Sequence, residues 1–112
     1  MPLKNDIKGN MNLIILSSLT DGDKYGYEIT KKIYSITDGA IQLKEGSLYP
    51  ALHKLEKQGL VEGYWAKQEP GKPDRKYYRI TGSGLKAIEQ GKEDWKFLMN
   101  MMRRVIYGEE TN

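Results

Sequence analysis

The sequence contains no cysteine, one histidine and one phenylalanine. Without cysteine there are no disulfides, no thiolate metal sites and no cysteine nucleophile, which is compatible with a reducing compartment. A nucleophile–base pairing would have to be built on His53 alone. Long apolar runs are also missing. Residues 13–16 form the longest near the N-terminus, far below the ~18 needed to cross a bilayer, and nothing there reads as a signal peptide. The expectation is a cytoplasmic protein with no membrane partner. The acidic pairs Asp21 with Asp23, and Glu93 with Asp94, have no third converging ligand, so neither a metal nor a cofactor is expected. No enzyme is expected on these grounds.

What remains is an ordinary globular composition: 112 residues, 38% hydrophobic and 29% charged, enough for one modest core. The net charge of +3 is unevenly spread. Residues 1–43 carry five lysines and five acids, whereas residues 44–81 carry eight Lys/Arg against five acids, and 82–107 five against three. A mild basic excess of this kind points only weakly to nucleic acid.

Apolar spacing divides the chain. Met11, Leu13, Ile14, Ile15, Leu16 and Leu19 predict a short helix that is apolar nearly all round, hence buried, stopped by the turn formers Thr20, Asp21, Gly22 and Asp23. Asp23 is placed to cap a second helix with an Ile29/Ile33/Ile36 stripe, ended at Asp38 and Gly39, with Gly39 as the C′ residue. A third helix is expected over 46–58, with Ser47 as N-cap, Pro50 in its first turn, Leu48, Leu52 and Leu55 inward, and Gly59 at its end. Residues 60–67 and 76–80, rich in aromatic and branched side chains, read as two strands joined by a polar, proline-bearing loop.

From Thr81 to about Tyr107 the pattern is helical again. Leu85, Ile88, Lys92, Trp95, Met99, Met102 and Ile106 recur at alternating spacings of three and four, the seam of a helix that pairs with another helix. Only Lys92 interrupts it. Roughly 25 helical residues span about 37 Å, more than a three-helix domain can cover, so this helix should project and pair with a second copy. The fold class is α+β, mostly α. It is a winged helix-turn-helix over residues 1–81, a C-terminal dimerisation helix over 82–107, and a disordered tail over 108–112.

In a helix-turn-helix the second helix of the pair lies in the major groove. On the 46–58 helix the inward leucines leave Ser47, Tyr49, His53, Lys54 and Lys57 outward. Ser47 and Tyr49 would reach bases or phosphates, and the lysines phosphates. The same pattern also describes an amphipathic helix with a solvated face. The loop cations Lys67, Lys72, Arg75 and Lys76 strengthen the nucleic-acid reading, because a wing beside the groove would neutralise phosphates with them.

Three segments resemble the PadR-like transcriptional regulators. They are Tyr25-Gly26-Tyr27-Glu28-Ile29, the run Gly46-Ser47-Leu48-Tyr49-Pro50-Ala51-Leu52-His53-Lys54-Leu55-Glu56-Lys57-Gln58-Gly59-Leu60-Val61, and Arg75-Lys76-Tyr77-Tyr78-Arg79-Ile80-Thr81. These segments stand in the right order within a resemblance that runs from residue 12 to 107, and the short end resembles the small subfamily with one dimerisation helix. The resemblance implies a homodimeric repressor of double-stranded promoter DNA. It assigns DNA contacts to Ser47, Tyr49 and Lys54 in the recognition helix and to Lys72 and Arg75 in the wing. Tyr25 and Tyr27 would approach the phosphate backbone, with Tyr27 equally suited to the core. Multidrug-binding members look similar around Trp95, and the resemblance places Asn12 and Leu13 in the same pore. Two readings of Trp95 then stand side by side. It packs in a dry dimer core, or a small planar apolar effector slots beside it, walled by methionines such as Met99. Lys92, Met99 and Asn100 depart from the pattern there. The alternative in another class is a winged helix used only for protein interaction, without specific DNA binding. Lys72, Arg75 and Lys76 argue against it.

Overall fold

The computed structural model describes residues 9–109. In chain order they form α1 (Met11–Ser18), β1 (Lys24–Tyr25), α2 (Gly26–Ile36), α3 (Glu45–Lys57), β2 (Val61–Ala66), β3 (Arg75–Ile80) and α4 (Gly82–Tyr107). The fold is mixed and mostly helical, with the mostly-α winged helix-turn-helix order read from the sequence. Its sheet has three antiparallel strands in the order β1-β3-β2. The hairpin was expected; β1 was not. It is only two residues long, pairing Lys24 with Tyr78 and Tyr25 with Tyr77, too short for alternation to betray it.

Ile15, Leu16, Leu19, Ile29, Ile33, Leu48, Leu52, Leu55, Val61, Tyr78 and Ile88 share one buried core. The three inward leucines of α3 fall where their spacing placed them. Ile36 does not join Ile29 and Ile33. It is the last residue of α2 and lies 67% exposed. The chain turns away just beyond it through Asp38 (φ 49°) and Gly39 (φ 82°), both left-handed. Gly39 N–H donates to the Tyr34 carbonyl at 2.8 Å and Asp38 N–H to that of Ser35. Asp38 is therefore the C′ residue and Gly39 the one after it, a one-residue correction.

Two caps also move. Asp23 does not cap α2, because β1 intervenes. Tyr25 takes the N-cap position, and its N–H donates to Glu28 Oε1 at 3.2 Å. The N-cap of α3 is Lys44 rather than Ser47, and the Lys44 carbonyl accepts the Ser47 and Leu48 N–H groups. Pro50 is consequently in the second turn, where its ring removes the bond that would reach the Gly46 carbonyl. At the far end Gly59 (φ 74°) closes α3, with Leu60 N–H on the Leu55 carbonyl at 3.0 Å.

Thr81 joins the body to α4. Its hydroxyl donates to the Gly59 carbonyl (2.7 Å) and accepts the Gly84 N–H (3.1 Å), capping the helix. The 26-residue α4 first lies on the body and then extends beyond it, giving a longest dimension of 61 Å. Close seating needs the absence of side chains at Gly84 and Gly91. A Cβ on Gly84 would lie 2.3 Å from the Leu60 carbonyl oxygen, and one on Gly91 2.7 Å from Leu13 Cδ1. Gly108 (φ 67°) ends the helix. Most of the tail predicted over 108–112 lies outside the described residues.

Candidate nucleic-acid interface

The outer side of α3 is open as expected: Ser47, Tyr49, His53, Lys54 and Lys57 are all exposed. Tyr49 also does structural duty. Its hydroxyl lies over Gly26 so closely that a Cβ there would sit 2.5 Å from Oη. Gly26 thus lets the start of α2 approach the recognition helix. A groove of about 510 Å³ runs between that helix and the wing, lined by Tyr25, Tyr27, Glu45, Tyr49, Trp65 and Arg75 among others. The two Tyr25/Tyr27 positions, the recognition helix and the wing therefore share one face. Glu45 and the 67%-exposed Trp65 were not singled out in the sequence. Trp65 falls in a strand as its segment predicts, and that strand is at the sheet edge.

The wing cations divide by their partners. Lys72, near the loop tip, is exposed and pairs with Glu69 at 3.6 Å. Lys76 points the other way, toward α3. Its ammonium lies 3.3 Å from Glu56 Oε1 and 5.4 Å from the centre of the Tyr78 ring. Glu56 Oε2 also accepts the Gly63 N–H at 3.1 Å. One carboxylate thus ties the recognition helix to both wing strands, and Lys76 is engaged within the protein rather than offered on the loop. The strand period of two explains this: Lys76 and Tyr78 share the inner face, while Arg75, Tyr77 and Arg79 share the outer one. Burial pushes the Tyr78 hydroxyl above its ordinary pKa of 10.0.

On the outer face the rings form a ladder across all three strands. Tyr25 meets Tyr77 edge-on at 5.5 Å, and Tyr77 stacks on Tyr64 at 5.9 Å. The Tyr64 hydroxyl donates to Asp23 Oδ2 at 2.6 Å, which raises its pKa, and Arg79 Nε reaches the same oxygen at 3.3 Å. Asp23, expected to cap a helix, instead anchors this ladder. Arg75 lies with its guanidinium 4.0 Å from the centre of the Tyr25 ring. Tyr27 is exposed, which removes it from the core.

Residues expected around an effector are brought together on the other side of the molecule. Asn12, Leu13 and Trp95 line one cavity of about 310 Å³ between α1 and α4. Trp95 also borders a second, of about 390 Å³, with Met99, Met102 and Tyr107. The indole N–H donates to Asn10 Oδ1 at 3.0 Å, a contact that only the tertiary structure supplies. Of the expected dimer seam, Leu85, Met99, Met102 and Ile106 are exposed, and Trp95 is 37% exposed. Ile88 is in the chain's own core, so it is not available to a partner. Among the described residues no group of acids or histidines could hold a metal ion. Nor is any helix among them long and apolar enough to cross a membrane.

The profile of the Transcriptional regulator PadR-like family matches residues 15–90, which take in the second half of α1, all of α2 and α3, the wing and the seated start of α4. The chain belongs to this family. The solved structure of a transcriptional regulator from Clostridium thermocellum superposes with a TM-score of 0.83 at 38% identity, covering 92% of this chain and 97% of that one. A PadR-like regulator from Bacillus cereus gives 0.77 at 32% identity, covering 95% and 100%. Among curated relatives, the transcriptional regulator YqjI of Escherichia coli is 32% identical over 100 residues. The match covers 89% of this chain and 46% of the longer relative. The chain is accordingly a PadR-like transcriptional regulator, which implies DNA-binding regulation.

Proposed function

We propose that this chain acts as a homodimeric repressor of promoter DNA whose affinity a small planar apolar effector reduces. Ser47, Tyr49 and Lys54 enter the major groove on α3, while Lys72 and Arg75 neutralise phosphates from the wing. The observation that carries the reading is the exposure of Ser47, Tyr49, Lys54 and Lys72, with the half-buried Arg75 lining one groove with Tyr49 and Glu56 holding helix and wing together. The exposed apolar side chains of distal α4 pair with those of a second copy. Two recognition helices are then presented to half-sites about one helical turn apart, roughly 34–36 Å.

The two cavities flanking Trp95 support the effector. The indole N–H is already satisfied by Asn10, so the ring offers its faces rather than a donor. A guest held there by Asn12, Leu13, Trp95 and Met99 would shift α4 and thereby the spacing of the two recognition helices, linking effector and operator antagonistically.

Fluorescence anisotropy with a duplex from the gene's own promoter, titrated at several salt concentrations, tests the proposal. Sequence-dependent binding that weakens steeply with salt is expected. Salt-insensitive binding without sequence preference would sink the repressor reading and favour a protein-interaction role. Lys72→Ala should weaken binding to all sequences and lower the salt slope by about one unit.

A further inference from the structure

Tyr25 was expected to approach the phosphate backbone itself, but its surroundings give it a different task. We propose that Tyr25 is a positioning residue that holds the Arg75 guanidinium in place for phosphate contact. This proposal rests on the DNA reading above.

Three observations carry it. First, the guanidinium lies 4.0 Å from the centre of the Tyr25 ring, the closest of the cation–ring approaches in the described residues. Stacking of this kind holds a guanidinium by its face and leaves its N–H groups pointing outward in the plane, available to an anion. Second, the ring cannot lean away. Tyr77 meets it edge-on at 5.5 Å, Tyr64 backs Tyr77 at 5.9 Å, and the Tyr64 hydroxyl is fixed to Asp23 at 2.6 Å. The short strand β1, paired through Tyr25 and Tyr77, sets the backbone beneath.

Third, Arg75, like Lys67 but unlike the other cations of the wing, has no acidic partner among the described residues. Among the described residues Lys72 pairs with Glu69, Lys76 with Glu56 and Arg79 with Asp23, whereas no ion pair is made by Arg75. Arg79 also lies over a ring, that of Tyr64 at 5.0 Å, yet its Nε is turned to Asp23. A guanidinium held by a ring alone is not committed to an ion pair, and it borders the groove that Tyr49 also lines. Freed of the ring, it would sample many rotamers, and binding DNA would then carry the cost of ordering it.

The test is a double-mutant cycle on the intact protein, read by duplex affinity and its salt dependence. Arg75→Ala should lower the salt slope by about one unit. Tyr25→Leu should weaken binding about threefold to tenfold in the wild-type background and by less than about twofold in Arg75→Ala. Tyr25→Phe, which keeps the ring, should restore most of the affinity that Tyr25→Leu loses. Equal losses in both backgrounds would overturn the proposal. So would a Tyr25→Phe as weak as Tyr25→Leu, since the hydroxyl would then touch DNA directly.

Should Tyr25→Leu fail to fold, Arg75→Lys serves instead. It keeps the charge but not the stacking plane, and wild-type affinity in that variant would refute the role of the ring. NMR supplies a readout independent of DNA: ring-current shifts on the Arg75 Hδ protons, lost in Tyr25→Leu. Their absence from the wild type overturns the positioning role. Their presence in a protein that binds no duplex overturns the DNA reading, and with it the phosphate contact, while leaving the stacking intact.

Discussion

The first half of α4 sets Gly84, Ile88 and Gly91 against the body of the domain, while the second half carries Leu98, Met102, Val105 and Ile106 into solvent. The three–four repeat runs across both, interrupted only by Lys92. In the first half two glycines let the helix backbone approach so closely that the Leu60 carbonyl oxygen and the Leu13 side chain fill the space of the missing side chains. In the second half large flexible side chains stand exposed, Val105 at 82%. A three–four repeat thus reports that a helix has an apolar stripe, but not which body covers it. Small residues mark the stretch covered by the chain itself, and methionines and branched residues mark the stretch left exposed.

The largest effect that would break this comparison is Gly84→Ala. The added methyl meets a backbone oxygen that cannot turn aside, so the variant should lose about 3 kcal/mol of unfolding free energy in urea. Gly91→Ala is the internal control. Its new methyl meets only the end of Leu13, and the better helix propensity of alanine offsets much of the strain, leaving a change within about 1 kcal/mol. Equal losses at the two positions would show that the seating is not set by the Leu60 carbonyl.

Ile106→Glu acts on the other half. Dimer dissociation measured by analytical ultracentrifugation should rise at least about tenfold, while the melting temperature of dilute protein stays unchanged. A mass distribution identical to wild type would remove distal α4 from the proposed dimer interface.

The smallest effect belongs to the body alone. Asp21 is held well below the usual carboxylate range by the Lys24 and Lys32 ammonium groups beside it. A depressed carboxylate stabilises the fold above its unfolded pKa and loses that contribution as pH falls. The difference in melting temperature between wild type and Asp21→Asn should therefore be small at neutral pH, the site being exposed. It should shrink as pH drops below 3.8, the ordinary aspartate value. Unlike the effect of Ile106→Glu, it should not depend on protein concentration. A difference that persists unchanged at lower pH would remove the two ion pairs as its cause.

Much of the architecture was legible because it rests on local rules. Leu48, Leu52 and Leu55 declare the inner face of α3 by spacing alone, and Gly59 its end, since only glycine takes the left-handed turn there without strain. Thr81 fits the start of α4 for a similarly local reason, its hydroxyl meeting the Gly84 N–H three residues on. The exposed Ser47, Tyr49 and Lys54 follow as the complement of the leucines.

The misplacements arise where a distant segment intervenes. Asp23 has the chemistry of a cap, but β3 draws Lys24 and Tyr25 into the sheet and hands Asp23 to Tyr64 and Arg79 instead. Lys76 has the charge of a wing contact, yet the strand period turns it toward Glu56. Ile88 continues the seam in one dimension, but in three it is buried in the chain's own core. Helix periodicity, turn chemistry and caps depend on residues within a few positions of one another, so the sequence by itself determined the winged-helix order and the outward face of the recognition helix. The choice of partner for each charge, ring and apolar stripe depends on contacts between residues as far apart as Asp23 and Arg79 or Asn10 and Trp95. Only the tertiary structure decided those, because a side chain's nearest neighbour in space is chosen by packing and not by spacing along the chain.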